Sequence, residues 1–208
     1  MKSMLKDAGI LFVITLISGL VLGFIYDLTK EPIAAQEAQK TQAAYQEVLP
    51  DAADFEVIYD TEGNAAGQIT REQIDGIIAG SGADADIESI VSAKDAGGAV
   101  IGYILMVTDH EGYGGDITFA MGIKNADQQL NGASILSISE TAGLGMRAGE
   151  VIVPQLPGKD MKEDITYTKA GDAQGNQIDA ISGATVTTTA FVNGLNAGRA
   201  VYAQLLAE

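Results

Sequence analysis

Apolar residues fall along this chain in three rhythms. The first is continuous: from Ala8 to Tyr26 the segment AGILFVITLISGLVLGFIY carries no charge. About 20 such residues in a helix cross the hydrocarbon core of a bilayer, so this run predicts a transmembrane segment. The second rhythm begins at Pro32, a residue suited to the first turn of a helix. EPIAAQEAQKTQAAYQEVL then reads as helical until Pro50, predicting a stalk or packing helix. The third rhythm is that of strands. Phe55–Tyr59 predicts a short one, and Gly98–Thr108 (GAVIGYILMVT) a long one, rich in β-branched and aromatic residues. After a loop at Asp109–Gly115 come strands at Asp116–Lys124 and Ala133–Ser139, with turns expected at Asn125-Ala126-Asp127 and Asn131-Gly132. Ile74–Ile78 and Ile87–Lys94 are apolar pieces that periodicity alone leaves open between helix and strand. Near the C-terminus, Phe191, Leu195, Gly198, Tyr202 and Leu205 recur at helical spacing, with Thr187 to Thr189 as candidate hydroxyl caps at the start.

Consecutive strands with short polar connections favour an antiparallel sheet. The expected fold class is therefore α+β: an N-terminal transmembrane helix, then one domain in which helices pack on a mainly antiparallel sheet. The predicted boundaries are 1–27 for the cytoplasmic N-terminus and anchor, 28–50 for the stalk helix, and 51–208 for the exported domain.

Charge orients the anchor. Lys2 and Lys6 precede the apolar run, whereas Asp27, Lys30 and Glu31 follow it without net positive charge. The positive-inside rule places the N-terminus in the cytoplasm and the domain outside. A cleaved signal peptide is the alternative. The run exceeds the usual apolar core of such peptides, however, and Ile33-Ala34-Ala35 makes a poor cleavage site. An uncleaved single-pass anchor in the cell membrane is the expectation.

Composition narrows the chemistry. Residues 27–208 hold ten Lys+Arg against 27 Asp+Glu, a net charge of −17. That surface disfavours nucleic acid and anionic lipid headgroups. There is no cysteine, which excludes disulfides, thiolate-held iron–sulfur clusters, c-type haem and lipoprotein attachment. The single histidine, His110, cannot build a multi-histidine metal site and reads as a loop residue. No metal is expected, and any redox centre must be organic.

The segment that carries chemistry is Asp179-Ala180-Ile181-Ser182-Gly183-Ala184-Thr185, followed directly by the predicted helix. Small residues before a helix start expose amide N–H groups and the positive end of the dipole to an anion, a setting for phosphate. A hydroxyl on its rim could be esterified. A plain glycine turn with an N-capped helix would explain Gly183 and the threonines, but not the whole string.

That string resembles the attachment motif of the FMN-binding domain family, Asp-x-x-Ser/Thr-Gly-Ala-Thr, whose members receive FMN from a flavin transferase acting on FAD. Two further segments support the likeness. Ser139-Glu140-Thr141-Ala142-Gly143-Leu144-Gly145 looks like the family's Glu-Thr-Pro-Gly-Leu-Gly loop, and Gly112-Tyr113-Gly114-Gly115 like its Gly-Tyr-rich loop. Glycines let backbone approach a flat ring, and Tyr113 or Leu144 can cover its face. The resemblance implies that Thr185 is the covalent acceptor of FMN through a phosphoester. It further implies that Asp179, Ser182, Gly183 and Ala184 are read by the transferase or line the phosphate pocket. Gly112, Tyr113, Gly114, Gly115, Glu140, Thr141, Gly143, Leu144, Gly145 and Thr187 would contact the flavin. No residue is assigned a catalytic role. The chain departs from the pattern at Ile138, where many relatives have histidine, and at Ala142, where they have proline.

Size, single anchor and motif order are similar to the G subunits of Rnf-type complexes. The likeness implies an electron-relay subunit that moves electrons between ferredoxin and NAD, coupled to Na⁺ or H⁺ transport. Its partners would be the other subunits of a membrane complex, a flavin transferase during maturation, and membrane lipid. A stand-alone anchored flavoprotein and a colourless, non-redox binding module are the alternative classes.

Overall fold

The computed structural model describes residues 2–61 and 69–207. Met1 and Glu208, the outer limits of the expected domains, lie outside them. Helix α1 runs unbroken from Lys2 to Val48 with Pro32 inside it, so no new helix begins at that proline. Pro32 withholds one backbone donor, but the Ala, Gln, Glu and Lys residues that follow are strong helix formers and carry the helix onward.

Two compact units are present, Met1–Gln42 and Ala43–Glu208. In the first, the large apolar side chains from Ile10 to Tyr26 are exposed all round the helix. Among the described residues this is the one helix long and apolar enough to cross a membrane.

The second unit is built on a six-stranded sheet: β1 (Asp54–Asp60), β2 (Ala85–Lys94), β3 (Val100–Asp109), β4 (Ile117–Lys124), β5 (Gln129–Ile138) and β6 (Lys159–Asp160). Strand order equals chain order, and every neighbouring pair is antiparallel. The structure resolves both ambiguous apolar pieces. Ile74 and Ile78 are the buried face of helix α2 (Arg71–Ser81), which starts with a capping box between Thr70 and Gln73. Ile87–Lys94 belongs to β2.

Both faces of the sheet are covered, which explains why β2 to β4 read as apolar runs instead of alternating. On one face Ile90, Leu105, Val107, Phe119 and Met121 join the core with α2 and helix α4 (Thr185–Leu205). On the other, Val91, Ile104 and Ala120 pack under Ala44, Val48 and Leu49. Phe119 stacks on Phe191 with centroids 4.4 Å apart. Gly198 lets α4 sit directly on β4, since a Cβ there would overlap the Met121 sulfur.

The turn expected at Asn131-Gly132 is not one: both residues lie within β5. Asn131 instead donates its side-chain amide to the Val48 carbonyl at 2.6 Å, satisfying the end of α1. The segment 145–179 carries no periodic signature. It holds α3 (Ala148–Val151) between two 3₁₀ turns, then β6 and a parallel pair, β7 (Thr166–Thr168) with β8 (Gln177–Asp179). These pieces are too short for periodicity. Side chains hold them in place, as when Asn196 both accepts from the Ile165 N–H (2.8 Å) and donates to its carbonyl (2.9 Å).

Candidate cofactor site

The string before α4 folds as its glycine requires. The Ala184 N–H donates to the Ile181 carbonyl at 3.0 Å, closing a four-residue turn. Gly183 stands at its third position with φ +80°, the left-handed value that a type II turn demands there. Helix α4 begins immediately, with Ala184 as a cap residue that offers no side-chain bond. The first N–H groups of α4, at Thr185, Val186 and Thr187, therefore have no intrahelical acceptor.

The threonines do not cap the helix as expected. Thr187 and Thr188 are buried inside its first turns. The Thr188 hydroxyl accepts from the Ile181 N–H (3.1 Å) and donates to the Ala184 carbonyl (2.9 Å), clasping the turn from within.

Above this helix start lies a cleft of about 540 Å³, lined by Tyr113, Glu140, Thr141, Leu144, Gly145, Gly183, Ala184, Thr185, Val186 and Thr187. Three segments distant in sequence meet here: the β3–β4 loop, the loop after β5, and the α4 N-terminus. Glycines allow them to interlock. A Cβ on Gly114 would overlap the Ser139 carbonyl oxygen, and one on Gly112 the Gly115 carbonyl oxygen. Glu140 accepts the Tyr113 N–H at 2.8 Å.

Of the residues singled out from sequence, Tyr113, Glu140, Thr141, Leu144, Gly145, Gly183, Ala184, Thr185 and Thr187 thus line the cleft. Gly112 and Gly114 shape its walls without lining it, and Gly115 and Gly143 lie outside the lining with open space around them. Ser182 is exposed in the turn. Asp179 lies at the end of β8, outside the lining. Its carboxylate accepts the Ala173 N–H at 3.1 Å and its own N–H donates to Gln155 at 2.7 Å. Val186, half-exposed in the lining, is the residue that sequence reasoning misses; its position one residue past the attachment motif is the available signal.

The sequence matches the FMN-binding domain family over residues 112–199 and the RnfG N-terminal region over residues 1–48. It is 33% identical to the G subunit of the Na(+)-translocating ferredoxin:NAD(+) oxidoreductase complex of Acetobacterium woodii, across 98% of this chain and 94% of that one. The chain belongs to the RnfG family. The G subunit of an ion-translocating oxidoreductase complex from Methanosarcina acetivorans is 27% identical over 94% of this chain and 92% of its own. Among solved structures, the C subunit of the Na(+)-translocating NADH-quinone reductase from Parabacteroides distasonis shares the fold. Its TM-score is 0.54 at 17% identity, covering 82% of this chain and 84% of that one. The NqrC structure from Shewanella oneidensis has a TM-score of 0.53 at 14% identity, covering 76% and 84% respectively.

The cleft of this RnfG-family chain fits FMN in volume and in donor set. Its size lies within the usual range for cofactor pockets. Leu144, Val186 and Tyr113 offer apolar surface to a flat ring, and the open N–H groups of α4 suit a phosphate. A Cβ on the left-handed Gly183 would sit 3.2 Å from Leu144 Cδ2, so glycine keeps the turn clear of that side chain.

Two titratable groups stand where β3 runs into the β3–β4 loop. His110 bridges Asp116 (3.0 Å) and Asp86 (3.3 Å), and the bond to Asp116 chiefly raises its pKa. Asp109 is fully buried; one carboxyl oxygen accepts the Glu111 N–H at 2.9 Å and the other has no partner among the described residues. Burial pushes its pKa from 3.8 up to about 7. Between those values the folded state holds a proton that the unfolded chain has lost, so stability falls as pH rises from about 4 to about 7 and then levels off. Asp109→Asn removes this dependence. In urea titrations, wild type should lose stability relative to the variant across that window, by at most about 1.4 kcal/mol per pH unit. Parallel pH profiles for the two proteins would refute the assignment.

Proposed function

We propose that this chain is the FMN-carrying electron-relay subunit of a membrane-bound, ion-translocating oxidoreductase complex, with the flavin held by a phosphodiester on Thr185. The observation that carries the reading is the meeting of the Thr185 hydroxyl, the open N–H groups of α4 and an apolar wall in one cleft. The full-length likeness to the G subunit of a ferredoxin:NAD(+) oxidoreductase complex supports the partners: the other subunits of such a complex, passing electrons between ferredoxin and NAD branches while Na⁺ or H⁺ is moved.

In attachment, Thr185 Oγ forms the new bond to phosphorus on FAD, its proton leaves to the transferase or solvent, and the pyrophosphate bond breaks to release AMP. The exposed Ser182–Gly183 turn, with Asp179 upstream, supports recognition of this segment by a flavin transferase. Bound FMN supplies a ring that takes up and returns electrons. The chain's own residues orient it: α4 holds the phosphate, Leu144 and Val186 cover apolar surface, and Tyr113, 74% exposed, stands at the mouth where a partner protein would approach. The apolar part of α1 crosses the membrane with Lys2 and Lys6 on the cytoplasmic side, placing the domain outside.

Two measurements test this together. Protein exported in the presence of a flavin transferase should exceed its chain mass by one FMN less water. A C-terminal reporter active only outside the cytoplasm should be active. An unmodified mass, or activity only of a cytoplasmic reporter, would overturn the reading.

A further inference from the structure

The carboxylate of Glu140 occupies an unusual position in the cleft wall. One oxygen accepts the Tyr113 N–H at 2.8 Å and lies 3.1 Å from where a Gly112 Cβ would be. The other lies 2.8 Å from the Cβ position of Gly145, which itself is 2.6 Å from the Thr187 hydroxyl. Glu140 therefore touches the β3–β4 loop on one side and lies beside Gly145 on the other, as the Thr187 hydroxyl of α4 does. Among the described residues no Lys, Arg or His pairs with it, since the ion pairs present join other side chains. A carboxylate without a cation thus faces the cleft lining.

We propose that Glu140 is a positioning residue with a second, electrostatic role: it clasps the Tyr113 loop against the cleft, and its charge holds down the midpoint potential of a ring bound there. The inference rests on reading the cleft as the flavin site. A ring that gains an electron gains negative charge, and a fixed anion nearby makes that gain less favourable, the more so where water is partly excluded. The clasp is worth testing apart from the charge because the two act on different observables.

The variants are Glu140→Gln, which keeps an acceptor oxygen and removes the charge, and Glu140→Ala, which removes both. In flavin-free protein, hydrogen exchange at the Tyr113 amide should accelerate about 10- to 100-fold in Glu140→Ala, the fold-change for losing a bond to a charged acceptor, and clearly less in Glu140→Gln, which keeps a neutral one. In full-length flavinylated protein, the midpoint potential should shift upward in both variants. An unchanged potential in Glu140→Gln would overturn the electrostatic role, and unchanged Tyr113 exchange in Glu140→Ala would overturn the clasp. Failure of the flavin reading looks different: correctly exported wild type would then carry no flavin at all, while the exchange measurement still decides the clasp.

Discussion

Thr185→Val should abolish flavin fluorescence that survives denaturing electrophoresis while leaving the domain folded. The threonine occupies the first helical position of α4, half-buried in the cleft, and its hydroxyl makes no hydrogen bond within the described residues. Its carbonyl, which accepts the Thr189 hydroxyl at 2.9 Å, is retained in valine. Valine keeps the branched shape with a similar helix propensity, so stability should change by no more than about 0.5 kcal/mol. The reactive oxygen is gone, however, and a phosphodiester has nothing to form on. Thr188→Val is the informative contrast. Losing that hydroxyl strips the Ile181 N–H of its partner and should cost about 1–3 kcal/mol, yet the folded fraction should still carry covalent flavin. Denaturation-resistant fluorescence in Thr185→Val would remove Thr185 as the acceptor.

The second large effect is expected at Gly145. Its backbone is not left-handed, so alanine meets no φ penalty and the test is purely steric. The new Cβ would lie 2.6 Å from Thr187 Oγ1 and 2.8 Å from both Cβ and Oε2 of Glu140. Gly145 is buried, and these neighbours are held by α4 and by the Tyr113 loop. Overpacking of this kind costs about 1–3 kcal/mol. At about 2–4 °C per kcal/mol for a domain of this size, the melting temperature should fall measurably. Because the displaced groups are cleft walls, flavin loading should drop as well. Gly143→Ala is the control: with φ +78° and open space around it, it should show backbone strain of about 1–2 kcal/mol and normal loading. Equal loading in Gly145→Ala and wild type would show that the cleft tolerates the displacement.

The long elements were legible in the sequence because each repeats one signal many times. The anchor run, β3, β4 and α4 have lengths over which periodicity speaks, and their composition agrees with it. The errors have local causes. Asn131-Gly132 has turn chemistry, but the asparagine side chain serves α1, and Gly132 faces Gly122 across the sheet, where Val48 presses close. Pro32 suggested a start because its missing donor is harmless at a first turn, whereas here strong helix formers on its C-terminal side outweigh it. The threonines after Thr185 looked like caps, yet Thr188 performs its capping-like work from inside the helix. For the site, the three segments singled out from their motifs meet around one cleft. What the motifs could not show was division of labour: Asp179 fastens β8 at a distance from the cleft, and Glu140 joins two walls, a relation that exists only once the chain has folded.

The order of the strands bears on how the protein matures. Each strand pairs with the one before it in the chain, and short loops join β2 to β3, β3 to β4 and β4 to β5, so this part of the sheet can grow hairpin by hairpin with little entropy lost at each step. Helix α4 follows the whole sheet in the sequence, yet its Phe191 must reach back to stack on Phe119 in the middle of that sheet. The cleft cannot exist before that docking, since one of its three walls is the helix start itself. Assembly of the pocket therefore waits on the docking of α4, and the Ser182–Gly183 turn stands on a finished helix end only once that helix has formed.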